Sequence, residues 1–179
     1  MAILPVRRFP DPSLKNPSRP LEELTSRIRE RIEELIETMR FHPRCVGLAA
    51  PQVGWNARVA VMDATGHPKA ERPHGLLVLM NPEIVARDGQ VSQREGCLSV
   101  PDLTGNVIRA ARVQIRARDR DGDVWMRWLE GFEAIIAQHE IDHLDGTLFL
   151  DRVANPKTDL FRRKQYWFPE SGKEGRKTA

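Results

Sequence analysis

The chain has 179 residues, 40% hydrophobic and 30% charged, with a formal net charge of +3 and two cysteines. This length and balance predict one globular domain rather than a disordered chain. Two cysteines are too few for a disulfide framework, no apolar run approaches the ~18–20 residues that cross a bilayer, and the N-terminus does not resemble a signal peptide. We therefore expect a single cytoplasmic domain over residues 1–179.

The first quarter of the chain predicts an extended arm and then an amphipathic helix. Residues 1–19 are rich in proline and are expected to be extended. From Pro20 onward, apolar residues recur every three or four positions as far as Met39, with Glu and Arg between them. Because proline suits the first turn of a helix, the predicted helix spans residues 20–42.

The centre of the chain predicts strands, and a second helix follows them. Residues 57–63 and 75–85 are short β-rich runs, and residues 113–128 alternate on both sides of an Asp-Gly pair typical of a hairpin. Residues 131–146 return to helical spacing and end at Gly146, a residue suited to stop a helix. The predicted fold class is α+β, with an N-terminal helix, antiparallel β-sheets with hairpins, and a late central helix.

The late helix carries "HEIDH" at 139–143, a pattern typical of a metal site. Residues four apart point the same way on a helix, so His139 and His143 can offer ring nitrogens to one ion. Glu140 can then reach a water on the metal without being a ligand. The alternative interpretation is a surface helix that carries two histidines and binds no metal.

The third ligand decides which kind of hydrolase such a site belongs to. One zincin group places a third histidine six residues after the second, where this chain has Phe149, which cannot ligate. The other zincin solution is a glutamate on a later helix, but Glu170 and Glu174 lie in a polar stretch without helical periodicity. Taken alone, a cysteine is more typical of a small buried side chain than of a ligand. The remaining candidates are His42, His67, His74, Cys45 and Cys97.

Three segments taken together resemble the peptide deformylase family. They are "VGLAAPQVG" at 46–54, "EGCLS" at 95–99 and "QHEIDH" at 138–143, in the order and spacing of that family. The resemblance implies an α+β fold and metal-dependent hydrolysis of the N-formyl group from N-formylmethionine at the N-terminus of newly synthesised proteins, with release of formate. It implies one divalent metal ion, Fe²⁺ in the cell, which Zn²⁺, Ni²⁺ or Co²⁺ replaces in purified protein.

The resemblance also implies roles for single residues. Glu140 is expected to be the general acid/base, and Gln52 and the backbone N–H of Leu98 to form the oxyanion hole. Glu95 is expected to brace the site, with Arg109 as its partner. The implied metal ligands are Cys97, His139 and His143. The implied substrate-binding residues are Val46, Gly47, Phe132, Ile135 and Ile136.

Two positions depart from the family's pattern, and both lie where substrate is expected to bind. Cys45 stands where the first motif usually has glycine, which places a second thiol near the metal. Thr104 stands where many members carry a basic residue that contacts the peptide beyond its methionine. Because that basic residue is missing, we expect intact chemistry with a raised KM for short formyl-peptides.

The expected partners are formyl-Met nascent peptides and, through a basic tail at 165–179, the ribosome. No pattern indicates membrane insertion or specific DNA binding. Two other functions stay open. One is a related amidase acting on a different N-formyl or N-acyl substrate, which the two departures make conceivable. The other is an inactive relative that binds peptides or ribosomes, against which the presence of Glu140, Gln52 and the three implied ligands argues.

Overall fold

A computed structural model of the protein describes residues 2–163, and these form an α+β fold as predicted. No helix within residues 2–163 is long and apolar enough to cross a membrane. The predicted tail at 165–179 lies outside the described residues. The helices are α1 (Ser26–Phe41), α2 (Gly131–Leu144), α3 (Phe149–Arg152) and α4 (Pro156–Asp159). The strands are β1 (Gly47–Ala49), β2 (Val59–Met62), β3 (Leu77–Asp88), β4 (Val91–Cys97), β5 (Val100–Arg109), β6 (Arg112–Arg118), β7 (Val124–Glu130) and β8 (Leu160–Arg162).

Helix α1 begins at Ser26, so the predicted start at Pro20 is wrong. The Thr25 hydroxyl caps the helix by accepting from the Ile28 N–H at 3.3 Å. Before this cap, the side-chain amide of Asn81 binds both backbone groups of Leu21, at 2.8 Å and 2.7 Å. These bonds hold the chain extended where the apolar spacing alone predicted a helix.

Two antiparallel sheets organise the strands. The larger has the order β1-β2-β3-β6-β7 and the smaller has the order β4-β5-β8. The predicted hairpin joins β6 to β7 through residues 119–123, where one carboxylate oxygen of Asp119 accepts from the backbone N–H groups of Asp121, Gly122 and Asp123. The carboxylate therefore holds the turn from inside, and a backbone bond of 2.9 Å from the Asp119 N–H to the Asp123 carbonyl closes it.

The larger sheet lies between the two long helices. Helix α1 packs with the side chains of one face of β2 and β3, including Val59, Val61 and Val78, and α2 packs with the alternate residues, including Ala60 and Leu79. Because side chains alternate along a strand, both faces of these strands are buried, which explains their continuous apolar runs.

Helix α2 is buried on every side from Glu133 to Leu144. It ends as predicted beside Gly146, whose φ of 71° is the left-handed conformation that glycine adopts without strain. A Cβ at Gly146 would lie 2.5 Å from the carbonyl oxygen of Lys15, so the N-terminal arm crosses close to this turn. A helix buried on all sides can present polar side chains only to a protected site.

The N-terminal arm binds two segments, one that follows β1 and one that follows β4. Within residues 2–19 it is extended apart from a 3₁₀ turn at Pro12–Lys15. The backbone N–H of Arg7 donates to the Gln52 carbonyl at 2.6 Å, and that of Phe9 donates to the Ser99 carbonyl at 2.8 Å. The arm therefore supports two segments: the 3₁₀ turn Ala50–Val53 after β1, and the turn between β4 and β5.

Candidate metal centre and active site

Three potential ligands converge between the end of β4 and helix α2. Cys97 is the last residue of β4, and His139 and His143 lie one turn apart on α2. One donor atom from each of the three lies within 4.8 Å of the others, and all three residues are buried. The Cys97 Sγ and His143 Nε2 atoms are 3.2 Å apart. A sulfur and two imidazole nitrogens at this spacing suit a transition-metal ion and leave a fourth position for water.

The orientation of His139 is set from behind by a buried carboxylate. Nδ1 of His139 lies 2.8 Å from one oxygen of Glu95, which directs Nε2 toward the other donors. Arg109 holds Glu95 through two hydrogen bonds of 2.7 Å and 3.0 Å. Burial opposes the ionisation of Glu95, but these bonds from Arg109 and His139 hold its pKa at about 2. Glu95 is therefore a fixed negative charge behind the histidine.

Asp142 extends this chain of charges, and the sequence analysis missed it. Its carboxylate accepts from Arg109 at 2.5 Å and from Arg152 at 2.7 Å, while Asp142 itself is 6% exposed. The sequence did contain a signal for a buried ion pair, because Asp142 stands in a helical segment with many apolar residues. Its partner could not be predicted, because the sequence does not show that Arg152 of α3 folds back to contact Asp142.

The two cysteines have opposite electrostatic surroundings. Burial disfavours the thiolate of Cys97. The charge of His143, the charge of His139 and hydrogen bonds with both histidines nevertheless lower the pKa of this thiol well below its usual value. Burial and the nearby carboxylate of Glu140 raise the pKa of Cys45 to about 12. Cys45 remains a neutral thiol that donates to the Gly47 carbonyl at 3.1 Å. Only Cys97 is thus prepared to act as a thiolate.

Glu140 lies beside the three donors with one oxygen unpartnered. It is 4% exposed, and its Oε2 atom has no hydrogen-bond partner among residues 2–163. Burial raises the pKa of Glu140 to about 7. A Cβ added to Gly47 would lie 2.8 Å from the Glu140 carboxyl carbon, so glycine provides the room for this carboxylate. Such a group can accept a proton and return it near neutral pH.

Gln52 presents its amide NH₂ group to the cavity. Its Oε1 atom accepts from the Ala49 N–H at 2.8 Å, and because only an acceptor can make this contact, the orientation of the amide is determined. Nε2 consequently faces Cys97 Sγ at 3.3 Å and Ser99 Oγ at 3.1 Å. Ser99 is a contact that the sequence analysis missed. Leu98 and Ser99 form the turn between β4 and β5.

A cavity of about 630 Å³ opens beside these groups. All five residues predicted to bind substrate line it. The three that come from α2 form an apolar wall with Val46, and Gly47 is the first residue of β1. His67 was considered only as a possible ligand, yet its ring stacks on Phe132 with the ring centroids 4.2 Å apart. The lining residues that had been predicted are Val46, Gly47, Phe132, Ile135 and Ile136.

The rejected ligand candidates have other contacts. Phe149 is buried in the core against Gly105, and His74 pairs with Glu133 at 2.6 Å. His42 caps the C-terminus of α1. Glu170 and Glu174 lie beyond the described residues. Within residues 2–163, the only cluster of His, Cys, Asp or Glu with metal-binding spacing is the one formed by Cys97 and the two histidines of α2.

Comparison with known proteins places this chain in a family. A family model described as polypeptide deformylase matches residues 3–159. The chain belongs to the polypeptide deformylase family. A peptide deformylase of Alkalilimnicola ehrlichii is 44% identical to this family member over 164 residues, which make up 92% of this chain and 89% of that protein.

Solved structures of the same family share the fold. The crystal structure of a peptide deformylase from Legionella pneumophila is similar with a TM-score of 0.79 at 38% identity, over 87% of this chain and 89% of that one. A class I type b peptide deformylase from Acinetobacter baumannii, crystallised with Met-Ala-Ser bound, has a TM-score of 0.78 at 33% identity, over 85% of this chain and 99% of that one.

Proposed function

We propose that this protein is a peptide deformylase, which hydrolyses the N-formyl group from N-formylmethionine at the N-terminus of newly synthesised polypeptides and releases formate. Its family membership supports this activity. One observation carries the assignment: the donors of Cys97, His139 and His143 converge within 4.8 Å, beside a cavity that Cys97, His139 and Glu140 line.

Cys97, His139 and His143 are the proposed ligands of one divalent metal ion. When bound, such an ion polarises the formyl carbonyl and brings the pKa of a bound water toward about 7. Thiolate and imidazole donors accept Fe²⁺, Co²⁺, Ni²⁺ and Zn²⁺. Fe²⁺ is the proposed ion in the cell, and Zn²⁺, Ni²⁺ or Co²⁺ are proposed to replace it in purified protein.

Glu140 is the proposed proton carrier. Its unpartnered oxygen accepts a proton from the water that attacks the formyl carbon, and the same carboxyl then donates that proton to the methionine nitrogen as the C–N bond breaks. Without this transfer the nitrogen would depart as an anion, which is a poor leaving group. Burial supports this role because it keeps competing water away from the carboxylate.

Gln52 and the backbone N–H of Leu98 are the proposed donors to the oxyanion that forms on the formyl oxygen. Neither an amide nor a peptide N–H ionises, so both keep their donor character throughout the reaction. The bond from the Ala49 N–H to Gln52 orients the amide before substrate arrives, and the Phe9 N–H supports the turn that contains Leu98. Preorganised donors of this kind are worth about 10²- to 10³-fold in rate each.

The apolar wall of the cavity is the proposed pocket for the methionine side chain. Its members are Val46, Phe132, Ile135 and Ile136. Gly47 is proposed to hydrogen-bond the substrate backbone, since it lines the cavity and lies against the Glu140 carboxylate. The A. baumannii relative with Met-Ala-Ser bound supports a peptide with N-terminal methionine as the occupant.

Formate release from formyl-Met-Ala-Ser by protein prepared anaerobically with Fe²⁺ tests this function. We expect release by the wild type, a rate about 10²- to 10⁴-fold lower in Glu140→Gln with metal content retained, and a wild-type rate in the exposed control Glu130→Gln. No formate from the wild type overturns the function. Equal rates for Glu140→Gln and wild type overturn the role of Glu140, and release only from another N-acyl peptide identifies a related amidase.

The ribosome is a further proposed partner, through the basic segment at 165–179. The proposed location is the cytoplasm, where formylated N-termini emerge, and residues 1–179 are proposed to form one catalytic domain. Co-sedimentation with ribosomes of the full chain and of a chain ending at residue 163 tests the ribosomal contact. Equal binding of both chains contradicts it.

A further inference from the structure

A positively charged rim surrounds the mouth of the cavity. The cations that line it are Arg44, Lys69, Arg94 and Arg163. The acids that line the cavity are Glu95 and Glu140, both buried, and Glu95 is already bound by Arg109. The ion pairs formed among residues 2–163 include none of the four rim cations. The rim therefore carries positive charge that no carboxylate of the described chain neutralises.

Arg163 reaches this rim across the smaller sheet. It follows β8, and its backbone N–H donates to the Asp102 carbonyl at 2.8 Å. In the sheet, Thr104 of β5 lies opposite both Phe161 of β8 and Gly96 of β4. The side chain of Arg163 thus crosses β5 to arrive at β4.

The guanidinium of Arg163 lies over Gly96, next to Cys97 in the chain. A Cβ added to Gly96 would overlap Nη2 of Arg163 and would lie 3.3 Å from both its Cζ atom and Cγ2 of Thr104. Gly96 and the short Thr104 side chain together leave the space that this guanidinium occupies. A basic group consequently stands beside position 104, although residue 104 itself is threonine.

The other arginine of this wall is engaged differently. The Arg94 guanidinium carbon lies 3.4 Å from the ring centroid of Phe161, and its Nε donates to the Asn106 side chain at 2.9 Å. The hydrogen bonds found among residues 2–163 include no such bond from the Arg163 side chain, which is half-buried. Arg163 is therefore the rim arginine of this wall whose donors remain available to a ligand.

We infer that Arg163 binds a carboxylate of the substrate just beyond the N-terminal methionine, so that formyl-Met peptides followed by Asp or Glu are preferred. This inference rests on the proposed deformylase function. Gly96 and Arg163 line the same cavity as the apolar wall. With methionine on that wall, the residues that follow are proposed to pass along β4 and so to meet Arg163. A guanidinium matches a carboxylate in charge and geometry, and the neighbouring cations of the rim add to the same field.

Three peptides and steady-state kinetics test the inference. They are formyl-Met-Glu-Ser-amide, its uncharged isostere formyl-Met-Gln-Ser-amide, and formyl-Met-Gln-Ser with a free C-terminus. For the wild type we expect a KM about fivefold lower for the Glu amide than for the Gln amide, at equal kcat. This ratio should shrink between about 50 and about 500 mM salt, because the contact is electrostatic. A gain confined to the free C-terminus overturns the preference for acidic side chains.

Variants assign the preference to Arg163. Arg163→Gln should bring the KM ratio to about one, Arg163→Lys should retain part of it, and the control Arg162→Gln, an exposed β8 residue outside the cavity lining, should keep it whole. Equal wild-type KM values, a ratio that survives in Arg163→Gln, or an equal loss in Arg162→Gln each overturn the inference. If Arg163→Gln does not fold, the wild-type ratio, its salt dependence and Arg163→Lys still decide. Failure of the deformylase function is distinct, since the wild type would then release no formate from any of the three peptides.

Discussion

Replacing Arg109 with methionine removes the cation at the centre of the buried chain of charges behind the histidines. Arg109 is 5% exposed and binds Glu95 through two hydrogen bonds and Asp142 through a third. In the variant, Asp142 keeps Arg152, but Glu95 keeps only the ring nitrogen of His139. Because the change leaves a buried carboxylate without its counter-charge, we expect a loss of about 3–5 kcal/mol in unfolding free energy.

Urea unfolding of the metal-free protein measures this loss, since bound metal adds its own contribution to stability. Each 1 kcal/mol shifts the melting temperature of a chain of this size by roughly 2–4 °C, so Arg109→Met should melt about 6–20 °C below the wild type. The affinity for Zn²⁺ should also fall about 10- to 100-fold, because His139 is no longer held in its orientation.

The matched control is Arg112→Met on β6, the next strand along the chain. Arg112 pairs with Asp88 at 3.4 Å and with Glu130 at 2.9 Å, but all three side chains are exposed, so its loss should amount to about 0–1 kcal/mol. An Arg109→Met variant within about 1 kcal/mol of the wild type would refute the reasoning. Equal losses in the two variants would refute it as well, because burial would then not distinguish the two sets of ion pairs.

Three further outcomes are expected. Gln52→Leu should lower kcat by about 10²- to 10³-fold in steady-state kinetics while metal content stays constant, and an unchanged kcat would exclude Gln52 from the oxyanion hole. Gly47→Ala should lower kcat because its Cβ would lie 2.8 Å from the Glu140 carboxyl carbon, and a fully active variant would show that the carboxylate can move aside. Burial and the charge of Arg8 lower the pKa of His42 in the folded protein below its usual 6.5. The unfolded chain therefore binds the proton more tightly than the folded one. As a result, the free energy of unfolding falls as the pH drops through 6.5 toward the folded pKa. The unfolding free energy of His42→Gln relative to wild type should therefore rise from about pH 7.5 to about pH 5.5, and a constant difference would contradict this.

The two long helices illustrate how far local patterns predict structure. The start of α2 at Gly131 and its stop beside Gly146 follow from spacing and one glycine, because both signals are local. The start of α1 was predicted too early, because Asn81, sixty positions away, binds the backbone of Leu21. A side chain that distant in sequence leaves no trace in the periodicity of the segment it holds.

The site shows the same division. The motif residues expected to form it do lie around one cavity, and the pairing of Glu95 with Arg109 was anticipated. Asp142, Ser99 and Arg163 were missed as contributors to the site or its rim. Their contacts depend on α3, the N-terminal arm and β8, whose positions no local pattern specifies.

The sequence by itself determined the chemical types of the potential donors and their local spacing. Helical periodicity places His139 and His143 on one side of α2, and the resemblance to the deformylase motifs implies Cys97 as the third donor. Only the tertiary structure decided that Cys97, forty-two positions before His139, meets those histidines and becomes the acidic thiol while Cys45 stays neutral. The physical reason is that a thiol's pKa depends on its burial and on the charges around it. Those surroundings come from chain segments that are distant in sequence and adjacent only after folding.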